Sequence, residues 1–183
     1  MSEELIIKHC SPTLAGIKTA NLFNCSYKSK VKLCEQIKRY NKMFHKKGLR
    51  VLPLKISENN ALIYVYRPSK LKEDLNDSRA ESILNNMGYM SDNPSRCLVN
   101  LIDRLSESSD FPHEIGLFLG YPPEDVSGFI ENKASGFKLC GCWKVYGDVN
   151  KAKVMFSKYK KCTDEYLRRL NVGVNIERLA VAV

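Results

Sequence analysis

The residues best placed to do chemistry are a few thiols and imidazoles. His9-Cys10 stands just before Ser11-Pro12. A strand over 5–9 followed by a helix from Ser11-Pro12 would put the Cys10 thiol at a helix N-terminus. There it would meet unpaired N–H groups and the positive end of the helix dipole, which favours thiolate. Cysteine phosphatases use the same logic, and their loop also begins His-Cys. Their loop needs an Arg six residues after the Cys, and that position here is Gly16. Lys18 is no substitute for a bidentate fork. Cys10 is therefore a candidate reactive or ligating thiol, but not a phosphatase nucleophile.

Phe111-Pro112-His113-Glu114 is the second candidate. An imidazole near a helix start with a carboxylate beside it can serve as a base or ligand. A capping or core histidine is the plain alternative. His45, in a lysine-rich helix end, needs no role beyond the helix dipole.

Cys140-Gly141-Cys142-Trp143, with Cys162 further on, is the third. Cys-x-Cys is tighter than the usual zinc knuckle, so the spacing signal is weak. On one strand over 138–146, Cys140 and Cys142 would face the same side. Cys10, Cys142, Cys162 and a histidine such as His9 would satisfy zinc or an iron–sulfur cluster if they converged.

The stretch 115–129 fits a helix-turn-helix template. Its second helix, however, carries Glu124, Asp125 and Glu131 and no Lys or Arg, so it would repel phosphates. No phosphate-binding glycine loop, HExxH or GxSxG occurs, which leaves ATP-driven, dinucleotide, zincin and serine-hydrolase chemistry without support.

The elements that must position these residues follow from the pattern. After the strand at 5–9, a helix runs from 11 to about 23, and a basic helix covers 28–47 and stops at Gly48. Strands over 49–57 and 61–67 form a hairpin, with Pro53 marking an edge or bulge. Ser78-Arg79-Ala80-Glu81 reads as a capping box, with Gly88 ending that helix. Helices follow over 94–106, 112–119 and 123–132. A strand covers 138–146, Asp148 caps a helix to about 170, and a strand closes the chain over 175–183. The glycines Gly16, Gly116, Gly120 and Gly128 serve turns and close packing. The sum is one α+β domain over 1–183, with a mixed or antiparallel sheet of about five strands covered by helices.

Composition agrees. The chain has 183 residues, 44% of them hydrophobic and 27% charged, which excludes a disordered or collagen-like polymer. Its apolar runs are too short to span a bilayer, and its start does not read as a secretory signal. Seven cysteines without such a signal point to a reduced, cytoplasmic protein rather than a disulfide framework. The net charge of +9 is uneven. Residues 27–50 carry nine Lys/Arg against one Glu, and 151–169 carry seven against two acids. Residues 68–132 carry five basic and twelve acidic residues. The basic helices over 28–47 and 151–169 are thus the natural face for an acidic protein or nucleic acid, or simply solvated surface.

Four blocks of the sequence carry a resemblance. They are His9 to Gly16; Phe111 to Gly116 with Phe118 to Pro122 and Asp125-Val126; Gly141 to Tyr146; and Lys160 to Thr163. Together they resemble domain-of-unknown-function family 3793, found mainly in anaerobic Gram-positive bacteria. The resemblance covers essentially the whole chain. It implies a family and a bacterial cytosol, but no chemistry. Cys10, His113, Cys142 and Cys162 fall inside the blocks. Cys25, Cys34, Cys97 and Cys140 fall outside them, which favours plain packing for these four.

Three functional readings follow. The first is a thiol-centred site built from Cys10 with some of His9, His113, Glu114, Cys142 and Cys162, for metal, cluster or redox use. The second is a cysteine-nucleophile enzyme with Cys10 attacking, His113 as base and Glu114 or a nearby amide as orienter. The third is a non-enzymatic interaction module using the basic helices.

Overall fold

The computed structural model describes residues 1–90, 93–107 and 110–183. In chain order the helices are α1 Glu3–Leu14, α2 Lys30–Phe44, α3 Pro68–Leu75, α4 Ser78–Asn86, α5 Pro94–Glu107, α6 Ile115–Phe118, α7 Pro123–Glu131, α8 Val149–Asn171 and α9 Ile176–Leu179. The strands are β1 Ala20–Ser26, β2 Arg50–Ile56, β3 Asn60–Tyr66, β4 Leu139–Cys140 and β5 Lys144–Val145. The fold class is α+β, as expected. The chain divides into two compact units, Met1–Ser69 with Tyr159–Val183, and Lys70–Lys158. The expected five-stranded sheet is instead a three-stranded antiparallel sheet, ordered β1-β3-β2, and a separate two-stranded hairpin.

In the first unit, α1 replaces the strand expected over 5–9. Ser2 caps it by accepting from the Leu5 amide, and Glu3 and Glu4 occupy its first turn. Ile6, Ile7, Cys10 and Leu14 then recur at helical spacing and are all buried. Ser11-Pro12 looked like a helix start, but Pro12 sits in the last turn, where it costs a single backbone hydrogen bond. The chain that follows is β1, not helix.

The hairpin forms as read. The register sets Phe23 opposite Ile63 and Val51 opposite Val65, which places one apolar face against α1, α2 and α9. β2 is an edge strand, and its register shifts between Pro53 and Lys55. This is where a residue without an N–H forces an irregularity. The Asn41 side chain of α2 donates to the Val51 carbonyl and accepts from the Val51 amide, both at 2.8 Å, which closes part of that edge.

Arg67 is fully buried just after β3. Its guanidinium donates to the backbone carbonyls of Thr13, Leu14, Lys47 and Val181 at 2.7 to 2.9 Å. Two of these, Thr13 and Leu14, lie at the C-terminal end of α1, where a cation is favoured, and each also accepts a backbone amide, from Gly16 and Val181 respectively. The segment after α9 is bound through these contacts rather than as the strand expected over 175–183.

In the second unit, α4 and α5 form with their expected buried faces, including Cys97, Leu98, Leu101 and Leu105 on α5. Asp77 rather than Ser78 caps α4. The strand expected over 138–146 is a tight hairpin whose turn is Gly141 to Trp143. Cys140 and Cys142 therefore do not share a strand face. Asp148 caps α8 through the Asn150 and Lys151 amides, as read.

Candidate functional site

In the Lys70–Lys158 unit, short helices and the hairpin enclose a cavity of about 400 Å³. Gly116 permits the approach of α6 to α7: a Cβ there would lie 2.8 Å from Val126 Cγ2 and 3.2 Å from the Tyr121 ring. The turn between the helices closes on Gly120, whose φ of +71° is left-handed. The glycine reading therefore holds at both positions.

Asp125 fixes the opposite wall. It is buried near the start of α7. Its carboxylate accepts from the Trp143 indole and from the Tyr146 and Gly147 amides, each at 2.7 Å. Three donors aimed at one buried carboxylate offset the cost of its burial. They also fix the indole plane. Trp143 stacks on Tyr121 with ring centroids 4.9 Å apart and meets Phe156 of α8 edge-on at 4.6 Å. The hairpin turn passes tightly over that second ring, and a Cβ on Gly141 would collide with it. The Tyr121 hydroxyl donates to the Cys142 carbonyl, and burial pushes this phenol up to about 12.

Phe111, Phe129, Ile115 and Leu119 supply much of the remaining apolar wall. His113, Cys140 and Lys144 also line it. The His113 ring meets Phe129 edge-on at 4.9 Å. The Lys144 ammonium lies 5.6 Å from the centroid of the same ring and 4.8 Å from that of Phe137. It also donates to the Ala134 carbonyl at 2.8 Å.

The expected site residues are distributed otherwise. Cys10 lies well inside α1, not at a helix N-terminus, and is fully buried among the apolar residues of its unit. Burial pushes its thiol far above the ordinary range, the reverse of activation. His9, beside it, is largely exposed and stacks flat on Phe23 at 5.4 Å, and partial desolvation, with the Lys8 charge, lowers its pKa. Cys162 is half-buried on α8, and Cys142 is exposed in the hairpin turn. Among the described residues, no group of three His, Cys, Asp or Glu side chains is arranged to hold a metal ion.

Glu114 is not an orienter for His113. It is buried, accepts from the Tyr89 hydroxyl at 2.9 Å, and lies 2.8 Å from Arg104 Nε as an ion pair. Burial and this carboxylate together drive the Tyr89 phenol up. The trio pins the start of α6 to α5. Of the expected residues, His113 alone lines the cavity.

The other wall residues were missed because no single one carries a catalytic signature. The signal was the resemblance itself. Phe111 to Gly116, Tyr121, Asp125-Val126 and Gly141 to Lys144 belong to the blocks that carried it, and the fold gathers them around one cavity. Cys140 was assigned to packing and is instead exposed in the wall.

The model of a family described as "Protein of unknown function (DUF3793)" matches residues 6–180. The chain belongs to that family. The DUF3793 match includes every residue of the cavity wall. Comparison with curated proteins and with solved structures gave no match. Among the described residues, no helix is long and apolar enough to cross a membrane.

Proposed function

We propose that the Lys70–Lys158 unit is a binding module for a small, ring-bearing, mainly apolar ligand. The observation that carries this reading is the wall itself. Tyr121, Trp143, Phe129 and Phe111 line one preformed cavity of about 400 Å³, a volume typical of small-molecule sites. Rings held face to face and edge to face present a rigid surface that loses little entropy on binding. The Asp125 carboxylate, already engaged by three N–H donors, positions the wall rather than serving as a free base.

A neutral probe such as 3-phenylpropan-1-ol tests this by calorimetric titration. Saturable one-to-one binding is expected, with loss of binding in Cys140→Tyr, which fills the mouth from an exposed position. Absence of binding, or equal binding to Cys140→Tyr with its fold intact, would overturn the reading.

A further inference from the structure

We infer that the cavity selects ligands that join an aromatic or apolar ring to a carboxylate or similar anionic head, with Lys144 as the head-group anchor. This deepens the preceding proposal and rests on it.

Lys144 is held at the wall by two independent constraints. β5 fixes its backbone, and the Ala134 carbonyl accepts one of its ammonium hydrogens at 2.8 Å. That carbonyl belongs to a loop in which Lys133 and Ala134 both adopt left-handed backbone, with φ of 48° and 63°. The loop is tied back by the Ala134 amide donating to Phe129. An ammonium carries three donors, so an oxygen of a bound anion can take another.

The faces around this ammonium are aromatic, at Phe129 and Phe137. The cation–π position is thus occupied from within the protein, and an incoming cation would meet a like charge. His113, on the edge of the same Phe129 ring, adds a second nitrogen-bearing group facing the cavity. Among the described residues, Asp125 is the carboxylate in this wall, and its two oxygens are turned to Trp143, Tyr146 and Gly147. The charges that face the ligand therefore favour an anion at the Lys144 end. The rings of Tyr121 and Trp143 favour a flat apolar body.

Three probes share one ring and chain and differ only in the head: 3-phenylpropionate, 3-phenylpropan-1-ol and 3-phenylpropylamine. Calorimetric titration at low salt should rank them acid, alcohol, amine. Lys144→Met should weaken the acid about tenfold, the usual worth of one charge-assisted hydrogen bond, and weaken the alcohol by clearly less, so that the preference for the acid is lost. Lys144→Arg should keep the preference. Should Lys144→Met fail to fold, the wild-type protein decides. Raising salt from about 20 to about 200 mM should weaken the acid several-fold and leave the alcohol alone. Equal binding of acid and alcohol, tighter binding of the amine, or a salt-independent acid would overturn the anionic head while leaving the cavity reading intact. Binding of none of the three would overturn both.

Discussion

The Trp143 indole donates to the Asp125 carboxylate at 2.7 Å, and the same carboxylate receives the Tyr146 and Gly147 amides. One acidic side chain on α7 thus fixes both the orientation of an aromatic wall and the return of the hairpin toward α8. The cavity exists because this contact holds its two sides in register.

Asp125→Asn tests that dependence. An amide keeps the shape but cannot accept from three donors without turning its own NH₂ toward an N–H. Loss of a charge-assisted set costs about 2–3 kcal/mol. Urea denaturation should show that loss, and the emission of Trp143, the single tryptophan in the chain, should shift to the red. Unchanged stability and emission would mean that the wall stands without Asp125.

Arg67 plays the corresponding part in the other unit, but with a cation and four carbonyls. Arg67→Lys keeps the charge and loses the fork. Its point-like ammonium cannot serve four acceptors in different directions. We expect a loss of about 3 kcal/mol in the unfolding free energy, because several charge-assisted hydrogen bonds are lost at once and the Lys47 and Val181 carbonyls lose their donor. A loss below about 1 kcal/mol would contradict this, by the same measure.

Thiol labelling separates the cysteines. Cys140 and Cys142 are exposed, whereas Cys10 is buried with a raised pKa. Alkylation followed by mass spectrometry should modify the two exposed thiols in the native protein and Cys10 only in denaturant. Raising the pH to about 9 should not bring Cys10 into the labelled set, since thiolate forms only above the raised pKa. Native labelling of Cys10 at a rate near that of Cys140 would restore the nucleophile reading.

Glu165 accepts from Arg168 and Arg169, and these hydrogen bonds lower its pKa from the ordinary 4.5 to about 2. Asp77 is lowered from 3.8 to about 2 by its bonds to Arg79. Both folded values lie below the unfolded ones. The contribution is therefore complete above about pH 4.5 and lost as the pH falls toward 2. Carboxyl carbon shifts followed by NMR should give midpoints near 2 for both groups. Midpoints near 4 would remove the ion pairs. Both are partly exposed to solvent, so added salt should raise the midpoints.

Much of the fold was legible where local and tertiary signals agreed. Pro53 announced an edge or a bulge and β2 is both, Asp148 announced the start of α8, and the α5 stripe of Cys97, Leu98, Leu101 and Leu105 gave its buried face. The N-terminus was misread because Ser11-Pro12 carries a genuine start signal. In this fold the Ser2 cap, the first-turn acids and the burial of Ile6, Ile7 and Cys10 outweigh it. The hairpin at 139–145 falls inside the single strand expected over 138–146, because a lone glycine such as Gly141 does not by itself mark a turn. Its space is in fact filled by the Phe156 ring from α8, a contact that local pattern does not encode. The site was legible only in part. His113 was singled out and lies in the wall, but Cys10 drew attention through a dipole that its position in α1 does not provide. Asp125 and Trp143 become meaningful only through each other, across a separation in sequence that no motif spans.

The central claim is that a ring-bearing ligand sits against Trp143. The indole N–H of this single tryptophan gives one resonance in a nitrogen–proton correlation spectrum. Titrating 3-phenylpropionate into the wild-type protein should move that resonance along a saturable curve, together with the amides of Gly116 and Gly141. The same titration of Cys140→Tyr should leave it in place. An indole resonance that stays fixed in the wild-type protein while the ligand saturates elsewhere, or does not bind at all, would contradict the account.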